Sequence, residues 1–288
     1  MSGQEFHFGT VGSPISTPKK PGGSVGAILR LVELGLDVLE LGWVQSVRVS
    51  EETCALIRQV SEQNGVKISV HAPYFINLNA LDEEWPKSRK RLMDAAHYGY
   101  LAGATDIVFH PGSYFGKPAP EVLPLAVDRL AGCVQELRLQ DNPVILRPET
   151  MGKSALLGSL DDTLVLSKGV PTVQPCLDFA HLHARAGDGS MNTYEEWARE
   201  LEAYRAALDD TGKDRALQDL HIHLSGIQYG PKGEKEHLPV EEADLDLPAL
   251  FRALRDFRCS GRILCESPVM EDDALVLKRI WQEIAAAA

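Results

Sequence analysis

Residues 66–79 read Val-Lys-Ile-Ser-Val-His-Ala-Pro-Tyr-Phe-Ile-Asn-Leu-Asn. Ile68, Val70 and their neighbours predict a short buried strand, and Ala72-Pro73 ends it because proline cannot continue a ladder. His71 therefore stands where a strand meets a loop, with Tyr74 and Phe75 exposed just beyond. Later strands end in the same style, each with a histidine or carboxylate at its C-terminal tip.

Outward from this stretch, apolar runs alternate with amphipathic ones. Phe6-His7-Phe8 opens as a strand and a helix follows from about Ser24 to Leu34, stopped by Gly35. Asp37 to Leu41 is the second strand, and Ser50 caps a helix with early acids. After the Val66 strand come a helix through Arg89–Leu101, the strand 106–110, a helix from about Glu121 to Leu139 and the strand 143–149. Ser159 starts a short helix, Thr172 to Asp178 is a strand, and Tyr194 to Leu208 is a helix. Asp219 to Leu224 is the seventh strand, with a long loop after it. Pro248 to Phe257 is a helix, Arg262 to Glu266 the eighth strand, and Glu271 to Ala287 the last helix. Eight strand–helix pairs without a linker predict one (β/α)8 TIM barrel over residues 1–288. A doubly wound sheet would call for G-x-G-x-x-G after the first strand, and Gly9-Thr10-Val11-Gly12-Ser13 lacks that spacing.

Composition narrows the class. The chain's 44% hydrophobic and 24% charged residues suit a globular protein, and its net charge of −12 argues against nonspecific coating of nucleic acid. Five widely spaced cysteines suggest reduced thiols. No signal pattern or bilayer-spanning run is present, so a cytoplasmic, monomeric protein without a membrane partner is expected.

In a barrel, chemistry collects at the C-terminal strand ends. Those ends offer His71, His110, Glu149, Asp178 with His181, His223 and Glu266, and His237 follows in the loop after strand seven. One such histidine is usually a hydrogen-bonded structural residue. Six tips bearing transition-metal ligand types point to metal, because acids and histidines are rarely buried without partners. The ligands outnumber the roughly three that one catalytic ion uses. A cluster of two or three ions suits phosphoester hydrolysis, since neighbouring ions activate water and stabilise both attacking and leaving oxygens. His97, mid-helix, and His7 receive no such role, and His183 is assigned a supporting or solvent position. His221 and Arg147 share the inward parity of His223 and Glu149 one layer deeper, where the arginine needs an acid nearby.

The motifs His71-Ala-Pro-Tyr-Phe-Ile-Asn-Leu, His110-Pro-Gly-Ser, Glu149-Thr-Met-Gly-Lys, Cys176-Leu-Asp-Phe-Ala-His181, His223-Leu-Ser and Cys265-Glu266 follow, in order, those of the endonuclease IV family. The chain resembles these type 2 apurinic/apyrimidinic endonucleases over nearly its whole length. The resemblance implies a zinc barrel that cuts double-stranded DNA on the 5′ side of an abasic site, with manganese able to replace some of the zinc. It implies a first ion on His71, His110 and Glu149; a second on Glu149, Asp178, His223 and Glu266; and a third on His181 and His237. Glu149, shared by two ions, is the catalytic residue. Tyr74 and Phe75 match the loop that enters the minor groove, where an apolar wedge fills the gap left by a flipped nucleotide.

Two departures stand out. Trp43 to Arg48 is shorter than the family's basic DNA loop. The family's Asp-x-His also becomes Lys235-Glu236-His237, and a protonated lysine cannot ligate, so Glu234 is expected to complete the third site, reaching it through its extra methylene and the freedom of Gly233. The rival reading is a xylose-isomerase-like sugar isomerase or epimerase. Those enzymes hold one or two ions mainly on carboxylates, and the His181/His237 pair favours the nuclease.

Overall fold

Eight short parallel strands carry the architecture of the computed structural model, which describes residues 6–208 and 216–287. The first seven are β1 (Phe6–Val11), β2 (Val38–Gly42), β3 (Lys67–His71), β4 (Ala104–Phe109), β5 (Ile145–Pro148), β6 (Cys176–Asp178) and β7 (Gln218–Leu224). A two-stranded hairpin, β8 (Gly226–Gly230) and β9 (Gly233–Leu238), intervenes before the last of them, β10 (Ser260–Cys265). The order β5-β4-β3-β2-β1-β10-β7-β6 brings the first and last of that list together, where a parallel bridge between Glu149 and Cys176 joins them. The sheet thereby closes into a (β/α)8 barrel.

Helices α1 (Gly23–Glu33), α2 (Glu51–Asn64), α3 (Trp85–Leu101), α4 (Ala119–Leu139) and α5 (Leu160–Gly169) alternate with the strands. A short α6 (Phe179–Ala186) follows β6 directly, and α7 (Tyr194–Leu208), α8 (Leu247–Asp256) and α9 (Glu271–Ala286) complete the outer ring. Ser50 caps α2 and Ser159 forms a capping box with Asp162 on α5, as the sequence predicts. No helix among the described residues is long and apolar enough to cross a membrane.

Two expectations need correction, and one element has no counterpart in the sequence reading. The strand read over Thr172–Asp178 shortens to Cys176–Asp178, because Thr172 has a φ of 79° and Pro175 lacks a donor. The loop after strand seven is the hairpin β8–β9. The residues after Asp178 are the helix α6, whose His181 N–H is capped by the Asp178 carboxylate.

Alternation along the strands divides the two barrel faces. Ile107 and Val70 pack outward against α3, so closely that a Cβ on Gly99 would stand 2.7 Å from the Ile107 Cδ1. Many of the inward positions are polar, and they are tiered. Lowest, Arg147 Nε donates to Asp106 Oδ1 at 2.6 Å and Arg262 Nη1 lies 2.8 Å from Asp106 Oδ2. Burial raises the Asp106 pKa, but the two guanidinium groups outweigh it and hold the carboxyl below its usual range. Above them sit Glu40, Ser69, Cys176 and His221, all buried. The strand-tip residues form the top tier.

Arg147→Met removes the main partner of a carboxylate that is 1% exposed. We expect the unfolding free energy in urea to drop by about 3–5 kcal/mol. A loss below about 1 kcal/mol would show that Arg262 alone neutralises Asp106.

Candidate metal centre

Side chains at the strand ends point inward through the two-residue alternation of the strands. His71 Nδ1 donates to the carbonyl of Ala72 at 3.0 Å, which turns Nε2 to Glu149 Oε2 at 3.2 Å. His110 Nε2 approaches the same oxygen at 3.3 Å. The other oxygen, Oε1, faces His223 Nδ1 at 3.5 Å, and that nitrogen is 3.4 Å from Glu266 Oε1. Glu149 thus divides its two oxygens between two groups of side chains. Asp178 joins the second group, so that Glu149, Asp178, His223 and Glu266 offer ligand atoms within 4.8 Å of one another.

A third group stands at the mouth. His181 Nδ1 donates to Thr150 O at 2.9 Å and His237 Nδ1 to Glu266 O at 3.1 Å. Carbonyl oxygens only accept, so both neutral rings carry their proton on Nδ1. Their Nε2 atoms then meet 3.2 Å apart with lone pairs opposed. Glu234 Oε2 lies 3.6 Å from His181 Nε2, and Asp178 groups with both histidines within 4.8 Å.

Glu234 reaches this position through a feature that spacing could not show. Residues three apart in a regular strand point to opposite faces. In the hairpin, Gln228 pairs with Glu236 while Tyr229 pairs with Glu234, so Lys235 is an extra, exposed residue: a bulge. The bulge returns Glu234 and His237 to one face, and the extra methylene is not what restores the reach. The hairpin tip docks on the loop after β5 through a bridge between Lys153 and Gly233 and a bond from Glu234 N to Gly152 O at 3.0 Å. A side chain on Gly152 would stand 2.7 Å from Glu234 Cβ, so glycine there admits the carboxylate.

A cavity of about 310 Å³ opens over these groups, lined also by Tyr74 and Met151. The rings of Tyr74 and His110 stack at 4.9 Å, which makes the tyrosine part of the cavity wall. Phe75 is 58% exposed on the rim, with the Arg91 guanidinium 5.8 Å over its ring.

The electrostatics fit cations. Glu149 Oε1, Asp178 Oδ2 and His223 Nδ1 are buried without a hydrogen-bond partner among the described residues. Opposed imidazole lone pairs and adjoining carboxylates are unfavourable unless positive charge lies between them. Burial opposes protonation of His71, yet Glu149, Glu266 and Glu40 raise its pKa to about 9. Asp178 is pushed up to about 6, by burial first and then by Glu149 and Glu266, against the pull of His181. A field that holds these protons will also hold metal ions, in exchange for them.

The structure brings together all of His71, His110, Glu149, Asp178, His181, His223, Glu234, His237 and Glu266. Sequence reasoning missed Glu40, a buried acid touching His221 and His223; its signal was a carboxylate inside the apolar run Val38-Leu39-Glu40-Leu41. His183 is buried rather than solvent-facing, its Nε2 3.0 Å from Asp244 Oδ1.

A barrel with histidines and carboxylates gathered at its C-terminal mouth defines a class of proteins with candidate metal centres. The family model described as "Xylose isomerase-like TIM barrel" matches residues 28–285, and the chain belongs to that family. It is 37% identical over 282 residues to an uncharacterised protein of Methanocaldococcus jannaschii, covering 96% of this chain and 97% of the other. It is 28% identical over 176 residues to Endonuclease 4 of Thermus thermophilus, spanning 58% of this chain and 61% of that relative. Among solved structures, an endonuclease IV from Thermus thermophilus superposes with a TM-score of 0.73 at 22% identity, covering 97% of this chain and all of that one (100%). A D-tagatose 3-epimerase-like protein gives 0.69 at 18% identity over 92% and 97% of the two chains. The likeness to these two structures concerns the fold.

His71 gives the metal-free protein a pH signature. Its folded pKa of about 9 exceeds the ordinary 6.5, so its contribution is complete below pH 6.5 and vanishes as pH rises through 9. For this one group the loss is at most roughly 3 kcal/mol. Chelator-treated protein should therefore show a lower urea midpoint at pH 9 than at pH 6.5, with zinc restoring it. A flat profile without metal would contradict the field described.

Proposed function

We propose that this chain is a metal-dependent hydrolase that cuts the DNA phosphodiester on the 5′ side of an abasic site, acting as one domain. The observation that carries this reading is the division of Glu149, with one oxygen facing His71 and His110 and the other facing His223 and His181 Nδ1, beside a His181/His237 pair whose Nε2 atoms meet at the cavity mouth. A centre built for one or two ions, as a sugar isomerase needs, has no use for that outer pair. By this reading His71, His110 and Glu149 hold one zinc ion; Glu149, Asp178, His223 and Glu266 another; and His181, His237 and Glu234 a third, with manganese able to replace some. When bound, these ions activate water and offset the charge that develops on the attacking and leaving oxygens of the phosphodiester.

The chain's own residues do the rest. Hydrogen bonds from His71, His181 and His237 Nδ1 to backbone carbonyls fix the three rings, with Nε2 turned inward. Burial first, and then Glu266 and Glu149, push the Tyr74 pKa up to about 12. Tyr74 therefore keeps its proton and can donate it to a substrate oxygen at the cavity mouth. Phe75 is free to enter the space of a missing base, where an apolar ring replaces lost stacking. Lys19, Lys20, Arg48, Lys117 and Lys153 are exposed on the loops after β1, β2, β4 and β5. They offer phosphate contacts on this face despite the net charge of −12. The endonuclease relative and the endonuclease structure support the same reading.

Purified protein should nick a duplex carrying one abasic-site analogue on its 5′ side and lose this activity to a chelator. Glu149→Gln should lower the rate by several orders of magnitude without loss of fold. Epimerisation of a keto-sugar with no nicking would establish the rival activity instead. Glu234→Ala should release one ion in elemental analysis while leaving the others bound. Unchanged metal content and cleavage would make Glu234 a rim charge.

A further inference from the structure

Glu40 lies inside the barrel, one tier below the centre, and is 0% exposed. Its hydrogen bonds and ion pairs among the described residues run to Ser69, His221 and His223, with no lysine or arginine in the set. One of its oxygens, Oε2, accepts from Ser69 Oγ at 2.7 Å and from His221 Nε2 at 2.8 Å. The two donors come from β3 and β7, on either side of the barrel interior, and they fasten the carboxylate in one orientation. Its other oxygen, Oε1, and His223 Nε2 are both buried without a hydrogen-bond partner among the described residues and lie 3.1 Å apart, each the close polar neighbour of the other. The opposite nitrogen of that ring, Nδ1, faces Glu149 and Glu266.

We propose that Glu40 is a positioning residue that holds the His223 proton on Nε2 and so leaves the Nδ1 lone pair free for a metal ion. A carboxylate oxygen can only accept, so the nitrogen beside it must donate. A neutral imidazole has one proton, and placing it on Nε2 strips it from Nδ1. Cys176, also near this ring, is a buried thiol and too weak an acceptor to make the choice, while Glu149 and Glu266 at Nδ1 are themselves read as metal ligands. The arrangement is a carboxylate–histidine pair oriented toward a metal position, with Ser69 and His221 as its outer supports. It rests on the reading of His223 as a metal ligand.

The nearly isosteric Glu40→Gln distinguishes this role from packing. If Ser69 and His221 keep donating as they do to Glu40, the glutamine oxygen faces them and its NH2 group faces His223. That NH2 donates to Nε2 and forces the His223 proton onto Nδ1, where it blocks an ion. Glu40→Asp keeps an acceptor on that side and keeps the proton on Nε2.

The test is long-range 1H–15N NMR of the histidine rings in the zinc-loaded full chain, alongside zinc affinity by chelator competition. The wild type should show His223 protonated at Nε2 and bound through Nδ1. Glu40→Gln should weaken the affected zinc about ten- to a hundredfold, and Glu40→Asp should retain the Nε2 proton. Zinc on His223 Nε2 in the wild type, or wild-type zinc affinity in Glu40→Gln, overturns the role of Glu40 alone. A wild-type chain that holds no zinc overturns the metal reading, and this role with it. If Glu40→Gln does not fold, the wild-type and Glu40→Asp spectra still decide between Nδ1 and Nε2.

Discussion

Glu149 sits fully buried at the end of β5 with four imidazoles around it. An ionised carboxylate in such a place is costly unless positive charge surrounds it. Burial raises its pKa, but His110, His181 and His223 pull it well below the usual carboxylate range. The remaining geometry follows from this one group. Backbone carbonyls take the outward nitrogens of His71, His181 and His237, so the inward nitrogens converge on the cavity. The same residue bridges to Cys176 through its backbone and closes the barrel, so that closure and site assembly are one event in this fold.

The interior below the centre explains how a barrel can tolerate so many charged groups. The lowest tier is self-neutralising, with Arg147 and Arg262 each paired to both Asp106 and Asp219. The middle tier holds an acid, an imidazole, a hydroxyl and a thiol, with Glu40 accepting from both Ser69 and His221. Burial dominates at His221 and lowers its pKa to about 4 despite Glu40, so it stays neutral and serves as a donor. Among the described residues, buried acid and imidazole atoms without hydrogen-bond partners run from Glu40 and His221 in the middle tier to Glu149, Asp178 and His223 at the top. The uppermost of these acids stand beside the cavity, where an ion can reach them from solvent.

Much of this was legible in the sequence. Strand ends marked by proline or glycine, with one polar residue at each tip, identified His71, His110, Glu149, Asp178, His223 and Glu266 as neighbours although up to 195 positions separate them. The inward parity of Arg147 and His221 was readable from the period of two along a strand. What spacing could not show was departure from that period. The bulge at Lys235 depends on pairing with β8, which is a tertiary fact, so Glu234 was named for the wrong physical reason. The hairpin itself is rich in glycine, lysine and glutamate and lacks the apolar alternation that marks a strand. Glu40 was overlooked because it is no strand tip, and α6 because Asp178 was read only as a strand end and not also as a helix cap.

The proposed three-ion centre is most directly tested by anomalous diffraction at the zinc edge from crystals of the purified chain. The account predicts three peaks: one between His71, His110 and Glu149, one between Glu149, Asp178, His223 and Glu266, and a weaker one beside His181, His237 and Glu234. A single peak held by carboxylates, with the His181 and His237 rings unliganded, would contradict it.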